Sequence, residues 1–274
     1  MSNLDKKTVD SFGDEWNRFD QSGMMDDEAE KVFNEYFSIF PWSTLPNQSE
    51  GFDMGCGSGR WAKFVAPRVG KLNCIDPSSA IKVAEKNLTS FQNISYEQAS
   101  VDSSLMPNNS QDFGYSLGVL HHIPDTQAAI KSCVNYLKPG GPLLLYLYYK
   151  FDNRPSWFRA LWRLSDLVRN IIFRLPPQLK HLITFVIALL VYWPLARFAR
   201  LCSFLNISSS SIPLSFYQDH TFYTMQTDAR DRFGTPLEQR FTQVEINEMM
   251  QSAGLVNISF ADHAPYWCVI GYKE

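Results

Sequence analysis

Short apolar runs alternate with amphipathic segments between residues 49 and 149. The runs predict strands at 51–54, 71–75, 94–98, 113–117 and 142–149, and the segments between them predict helices at 60–66, 78–88 and 126–137. A helix at 242–253 and two strands, at 255–261 and 266–272, follow much later. Strands that alternate with helices are typical of parallel sheets. We therefore predict an α/β fold: a doubly wound, mostly parallel seven-stranded sheet with helices on both faces.

Changes in composition and in the pattern of apolar residues divide the chain into four segments. Residues 1–48 predict an N-terminal helical lid with helices near 8–20 and 26–39, and residues 49–149 predict the α/β core. Residues 150–235 form a helical, apolar and basic insert after the fifth strand, and residues 236–274 complete the core. The insert interrupts the alternation of strands and helices that forms the core. Because of its length, we expect it to carry the specific function of the protein.

A glycine-rich turn follows the first predicted strand and opens a helix. Gly55, Gly57 and Gly59 alternate there, and they allow the backbone to turn tightly and to approach a ligand. Asp76 ends the second predicted strand, where a carboxylate can accept hydrogen bonds from both hydroxyls of a ribose. The alternative is a plain tight turn with Asp76 capping a helix. The glycines together with the carboxylate favour a nucleoside site.

The stretch Phe52-Asp53-Met54-Gly55-Cys56-Gly57-Ser58-Gly59 resembles the class I, Rossmann-like S-adenosylmethionine-dependent methyltransferases. The similarity continues at 74–78, 98–102, 116–125 and 137–141, so it covers about residues 49–149 and, by topology only, 240–274. It implies that S-adenosyl-L-methionine is the cofactor. The cofactor-binding positions that it implies are Asp53, Gly55, Cys56, Gly57, Gly59, Asp76, Ala99, Ser100, Val101 and Leu117.

One position departs from the pattern of the family. An acidic side chain often lies beside the adenine amine, and the candidates here are Ser100 and Asp102. We expect Ala99, Ser100 and Val101 to line the adenine pocket. In the lid segment, Trp16 and Phe19 could shield the cofactor from water or dock on the core.

The catalytic candidates follow the fourth strand. Methyl transfer needs an aligned acceptor and a base that removes its proton, and the imidazoles of His121 and His122 could serve. These histidines could instead only shape the loop over the cofactor. Tyr148, Tyr217 and His220 are substrate-binding candidates; the alternatives are aromatic filling of the sheet for Tyr148 and a surface loop for the other two.

The insert is unusual because its apolar and basic residues segregate. A helix at 157–175 places aliphatic side chains on one side and arginines on the other, and residues 151–205 carry eight basic and two acidic residues. The apolar run at 182–196 would span roughly 22 Å as a helix, which is short of the ~30 Å hydrocarbon core, and Pro194 lies near its end. The insert could cap the core, form a homodimer, or contact an anionic membrane surface through 157–205.

Composition narrows the functional classes. The net charge is -3, which disfavours nucleic acid as a partner, although the composition of 151–205 would also suit RNA. Five widely spaced cysteines predict free thiols and no metal site. The N-terminus is polar, so we expect a cytoplasmic protein, with peripheral contact at the inner membrane face as an extension of that prediction.

These observations lead to one functional hypothesis and one rival. The hypothesis is a methyltransferase that acts on a small, amphiphilic or lipid-linked acceptor, on oxygen first and on nitrogen or carbon second. The rival is a catalytically silent cofactor-binding or membrane-associated scaffold of the same fold.

Overall fold

The computed structural model describes residues 3–20, 23, 25–209 and 212–274, and the chain divides into two compact units. The core unit comprises 1–21, 29–150 and 237–274, and the insert unit comprises 22–28 and 151–236. The helices are α1 Lys6–Arg18, α2 Asp26–Tyr36, α3 Ala62–Val65, α4 Ala80–Asn87, α5 Thr126–Tyr136, α6 Ser156–Ile172, α7 Pro177–Ile187, α8 Trp193–Phe204, α9 Phe222–Gly234 and α10 Gln243–Ser252.

A seven-stranded sheet forms the centre of the core unit, which confirms the predicted fold class. Its strands are β1 Glu50–Met54, β2 Lys71–Ile75, β3 Ile94–Glu97, β4 Phe113–Leu117, β5 Pro142–Tyr146, β6 Leu255–Phe260 and β7 Cys268–Lys273, in the order β3-β2-β1-β4-β5-β7-β6. The first five run parallel, and β7 is antiparallel to both of its neighbours. The strand order reverses between β1 and β4, where ligands bind in open α/β sheets.

Alternating side chains give the sheet two buried faces. Phe52 of β1 and Leu143 of β5 pack with residues of α5 and α10, whereas Phe113 of β4 and Leu144 of β5 pack with residues of α2, α3 and α4. Because both faces are covered by helices, the central strands read as continuous apolar runs.

The strand predicted at 142–149 is shorter in the structure. β5 ends at Tyr146, although Leu147 beyond it is still fully buried. Phe241 then pairs with the chain: its N–H donates to the Tyr148 carbonyl (2.8 Å), and the Lys150 N–H donates to the Phe241 carbonyl (2.9 Å). The run of apolar residues therefore continues past the end of β5, because the segment around Phe241 packs there.

The helix predicted at 182–196 is much longer in the structure. A π-helical turn at Ala188–Tyr192 joins α7 and α8 into one helix, Pro177–Phe204, of 28 residues. Pro194 lies in the first turn of α8, directly after that wider turn, and does not end the helix. The expectation that this segment is too short to cross a membrane was therefore wrong: by length and composition the helix suffices, at about 42 Å.

The insert unit has a small core of its own. Ile172 of α6, Ala188, Tyr192 and Ala196 of the long helix, and Met225, Ala229 and Phe233 of α9 are buried together. Polar groups support this packing. The buried Lys180 donates to the Gly234 carbonyl (3.4 Å), and Arg169 donates to the Thr235 carbonyl (2.9 Å).

Candidate active site

The glycine turn is held against the end of the neighbouring strand. The backbone N–H groups of Gly55 and Cys56 both donate to the Ile75 carbonyl, at 2.7 and 3.0 Å. Gly55, Gly57 and Gly59 all have positive φ angles, of 82°, 55° and 81°. A Cβ at Gly55 would also lie 2.4 Å from a methyl group of Val119, so only glycine fits there.

Asp76 is buried and points at this turn. One carboxylate oxygen accepts the Gly57 N–H at 2.9 Å, and the other accepts the Ser78 N–H (2.8 Å) and hydroxyl (2.6 Å). Burial raises the pKa of Asp76, and these hydrogen bonds oppose that change. A carboxylate has about four acceptor positions. Three are used here, which leaves one for a ribose hydroxyl.

Asp53, at the end of β1, is a buried carboxyl group that lies beside the Tyr115 hydroxyl but forms no hydrogen bond of normal geometry. The residue is only 1% exposed, and among the described residues neither carboxyl oxygen has a hydrogen-bond partner of normal geometry. Burial raises the pKa of Asp53 to about 8; the neighbouring Tyr115 hydroxyl opposes this change, and the nearby charge of Asp76 adds to it. An unpaired buried carboxyl group fits a cationic ligand with hydrogen-bond donors. The groups around the turn therefore suit S-adenosylmethionine.

Helix α1 covers the turn. Asp5 caps its N-terminus by accepting the Thr8 N–H, and a Cβ at Gly57 would lie 3.2 Å from the Trp16 indole nitrogen. Asn17 donates to the Ser79 hydroxyl at 3.1 Å, so the helix is also tied to the residue before α4. The structure thus places Trp16 at the glycine turn, whereas Phe19 is buried.

The residues predicted to line the adenine pocket are already engaged within the core unit. The Ser100 hydroxyl donates to Asp102 at 2.5 Å, and the Tyr136 hydroxyl donates to the Val101 carbonyl at 3.1 Å. Val101 is buried, and Ala99 packs beside it. The Asn3 N–H donates to Asp102 and lowers its pKa. Leu117 is buried at the end of β4. Their contact with adenine stays a prediction.

His121 and His122 follow β4 and are both buried, but their ring protons lie on different nitrogens. The Leu237 carbonyl, 2.6 Å from Nδ1 of His122, can only accept, so Nδ1 carries a proton and the tautomer with its lone pair on Nε2 is the one that the contact selects. In His121, Nδ1 accepts the Tyr148 N–H at 3.4 Å, so the neutral ring carries its proton on Nε2. Burial lowers the pKa of His121 well below 6.5 and keeps it neutral.

Aromatic rings enclose the two histidines. Tyr148 stacks on His121 with ring centroids 3.9 Å apart, and Phe12 of α1 meets His122 edge to face at 4.9 Å. Tyr146 contacts both Tyr148 and Tyr36. Of the predicted substrate residues, Tyr148 therefore lies in the core unit beside the candidate base.

A buried ion pair beside Tyr148 was missed by sequence reasoning. Arg240 lies over the Tyr148 ring, 4.9 Å from its centroid, and pairs with Glu238 at 2.8 Å; their side chains are only 10% and 2% exposed. The segment that carries them also supplies the Leu237 carbonyl to His122. No periodicity marks 236–241, so only its polar composition just before α10 could have drawn attention to it.

The other two predicted substrate residues belong to the insert unit. The Tyr217 hydroxyl donates to Asp228 at 2.8 Å, and the buried His220 ring packs on Phe216 with centroids 4.7 Å apart. Among the described residues no group of histidine, cysteine and acidic side chains could hold a metal ion, and all five cysteines are buried and free.

Part of the chain is similar in sequence to known methyltransferases. Residues 52–145 match the family described as a methyltransferase domain. The ubiquinone biosynthesis O-methyltransferase of Serratia proteamaculans is 26% identical over 132 residues, which are 47% of this chain and 52% of that protein. The enzyme of the same name from Idiomarina loihiensis is 32% identical over 112 residues, which are 40% of this chain and 45% of that protein. The chain thus spans about half the length of the curated relatives it matches.

Solved structures show the same fold. A protein described as an O-methyltransferase from Nostoc punctiforme has a TM-score of 0.51 at 14% identity and covers 94% of this chain and 60% of its own. The methyltransferase in complex with the Trm112 activator of Haloferax volcanii has a TM-score of 0.50 at 13% identity and covers 95% and 96%. The resemblance seen in the sequence is confirmed: residues 52–145 belong to the methyltransferase-domain family, and the seven-stranded sheet has the fold of the class I, Rossmann-like S-adenosylmethionine-dependent methyltransferases.

Proposed function

We propose that the core unit binds S-adenosylmethionine and transfers its methyl group to a hydroxyl oxygen of a small or amphiphilic acceptor. The observation that carries this proposal is the hydrogen bond between the Asp76 carboxylate and the Gly57 N–H, with the unpaired Asp53 carboxyl group beside it. Oxygen is the favoured acceptor atom because the relatives that match this chain are named O-methyltransferases.

Each group around the turn has a role toward the cofactor. Asp76 accepts a ribose hydroxyl, and Asp53 faces the positively charged part of the ligand. Ala99, Ser100 and Val101 line the adenine. The bound cofactor supplies a methyl group on a positively charged sulfur, which is already strongly activated. The protein therefore has to orient the acceptor, exclude water and remove one proton.

His122 is the proposed base. The Leu237 carbonyl fixes the Nδ1 proton and the orientation of the ring, which leaves Nε2 to accept the proton of the acceptor hydroxyl. His121 cannot take this role in the same state, because its Nε2 already carries the proton. It stays neutral and presents a hydrogen-bond donor next to the base, with ring centroids 4.0 Å apart.

The surroundings of the base suit an apolar or aromatic acceptor. Phe12, Tyr146 and Tyr148 present ring faces and edges, and Arg240 over Tyr148 is already neutralised by Glu238. We assign acceptor binding to Tyr148. Tyr217 and His220 belong to the insert unit, and acceptor binding by them stays a prediction.

Calorimetric titration with S-adenosylmethionine tests the cofactor assignment. Asp76→Ala should weaken binding at least tenfold, about 1.4 kcal/mol, because it removes a ribose acceptor and the group that holds the turn. Asp262→Ala, on an exposed acidic residue of the core unit, is the control and should bind normally. Unchanged affinity in Asp76→Ala would overturn the assignment.

A transfer assay separates the enzyme from the scaffold. The chain is incubated with labelled cofactor and a metabolite or lipid extract, and labelled products are sought. Tight cofactor binding with no labelled product in any extract would favour the catalytically silent scaffold.

A further inference from the structure

Helix α6 turns its most apolar side to solvent. Trp157, Leu161, Leu164, Leu167, Val168 and Ile171 are all exposed, with Ile171 at 66%. At 100° per residue they share one side of the helix. The side that packs within the insert unit carries Arg169 and Ile172 instead. A soluble helix normally buries its apolar side, so this exposed face marks an interaction surface.

The long helix Pro177–Phe204 shows the same arrangement. Leu182, Val186, Leu190, Trp193, Leu201 and Phe204 are exposed, with Leu190 at 67% and Phe204 at 81%. The opposite side is buried against the insert unit and repeats every third or fourth residue, from Lys180 to Cys202. We call the exposed apolar residues of α6, α7 and α8 the apolar face.

The charges on these helices are nearly all positive. Arg159, Arg163, Arg174 and Arg200 are exposed, and Arg200 also lies 3.8 Å from the exposed Asp219 carboxylate. Residues 156–205 contain one acidic residue, Asp166, and it is paired with Arg169 (2.8 Å) and Arg232 (3.4 Å). On α6, Arg159 and Arg163 lie in the arc directly next to the apolar face, and Arg174 follows the end of the helix. Exposed aliphatic and tryptophan side chains next to arginines are typical of helices that bind anionic lipid interfaces.

We propose that the apolar face binds the surface of an anionic lipid bilayer, with α6, α7 and α8 lying in the interface. The arginines pair with lipid phosphates while the apolar side chains enter the acyl boundary. This inference goes beyond methyl transfer and does not depend on it, because vesicle binding requires neither cofactor nor acceptor.

A bilayer fits this surface better than a second copy of the chain. A symmetric dimer would place the same patch on both subunits. Residues 151–205 have a net charge of +6, so the two arginine-bearing surfaces would repel each other. An anionic bilayer supplies the opposite charge.

The packing of the long helix also favours an in-plane position over a span. Its buried side contacts α9, which carries Asp228, Arg230 and Asp231. The Lys180 ammonium on that side is bonded to the Gly234 carbonyl. Moving the helix across a bilayer would break this core and expose charged groups to hydrocarbon.

Vesicle flotation of the full chain tests the proposal. We expect binding to vesicles of phosphatidylcholine with about one third phosphatidylglycerol, and at least tenfold weaker binding to pure phosphatidylcholine. Raising the salt from about 0.1 M to about 1 M should weaken binding strongly, because the screening length falls from about 10 to about 3 Å.

Two groups of variants separate charge from apolar contact. Arg159→Gln, Arg163→Gln and Arg174→Gln combined should weaken binding about a hundredfold, at about fivefold for each arginine. The matched control replaces three exposed lysines of the core unit, Lys31→Gln, Lys86→Gln and Lys131→Gln, and should bind like the parent.

The apolar variant replaces three side chains of α6. Leu164→Gln, Leu167→Gln and Ile171→Gln combined should abolish flotation, whereas Leu105→Gln with Val244→Gln, exposed apolar sites of the core unit, should not. These side chains are already exposed, so circular dichroism and thermal unfolding should remain those of the parent.

Four results would overturn the proposal. They are no flotation on anionic vesicles, equal binding to neutral vesicles, binding that survives high salt and carbonate washing as for a spanning helix, and a stable homodimer that the α6 apolar variant dissociates. In each case methyl transfer can still be measured separately.

Discussion

Binding of S-adenosylmethionine should release a proton from Asp53. The carboxyl group is buried, and burial raises its pKa to about 8 although the neighbouring Tyr115 hydroxyl opposes the change. At pH 7 such a group is about 90% protonated. A positively charged ligand within about 4–6 Å favours the ionised form, and a fall in pKa of about 2 is within the usual range. We therefore expect the pKa of Asp53 to fall to about 6 in the complex.

The size of the effect follows from these values. At pH 7 the complex would hold about 0.1 of a proton at Asp53 and the free protein about 0.9, so about 0.8 of a proton is released. Affinity for the cofactor should consequently increase by about 25-fold between pH 6 and pH 8. The stability of the protein without cofactor should change with pH in the opposite direction. Its free energy of unfolding should fall as pH rises from about 4 to about 8, because over this range the folded state keeps the Asp53 proton and the unfolded state loses it.

Isothermal titration in buffers of different ionisation enthalpy measures the released proton directly. The observed binding enthalpy is plotted against the buffer enthalpy, and the slope is the number of protons exchanged. The parent chain should give a slope of about 0.8 in magnitude at pH 7, and Asp53→Asn should give a slope near zero.

Asp102→Asn is the matched control. Hydrogen bonds lower the pKa of Asp102, so it is ionised with and without ligand, and the slope should persist even if affinity changes. A slope near zero in the parent chain, or an unchanged slope in Asp53→Asn, would refute the assignment of Asp53 to the charged part of the cofactor.

Three further predictions concern the site. His122→Ala should lower the methyl-transfer rate about a hundredfold while cofactor affinity stays within about twofold; a normal rate would exclude it as the base. Gly55→Ala should destabilise the fold by clearly more than Gly140→Ala in thermal unfolding, because both positions have positive φ but only Gly55 has a side chain, that of Val119, within 2.4 Å of a new Cβ; equal losses would contradict this. Glu238→Gln should cost about 3 kcal/mol in denaturant unfolding, since it leaves Arg240 buried without its partner charge; a loss below about 1 kcal/mol would show that water or other groups replace it.

Local patterns explain what could be predicted about the site. The glycine turn, Asp53 and Asp76 lie at the ends of adjacent parallel strands, so the order of elements along the chain already brings them to one edge of the sheet. The structure joins Gly57 and Asp76 by a hydrogen bond there. The position of His122 directly after β4 follows from the same reasoning, but its tautomer does not, because the Leu237 carbonyl is 115 residues away.

Long-range packing explains what could not be predicted. The ion pair of Arg240 and Glu238 beside Tyr148 is made by a segment with no motif of its own. The apolar run at 182–196 suggested a short helix, but the π-helical turn carries the helix past Pro194 to Phe204. The amphipathic pattern at 157–175 predicted a helix there, but it did not reveal that the apolar side of α6 faces solvent.

The sequence by itself determined the order of strands and helices, the glycine turn, the carboxylates at the strand ends and the net positive charge of the insert. These features depend on residue type and on spacing within a few residues, and such short-range patterns determine the local backbone structure. Only the tertiary structure decided the ionisation environment of Asp53, the ring proton of His122 and the exposure of the apolar face. Those properties depend on which distant groups exclude water or accept a hydrogen bond, and spacing along the chain does not encode them.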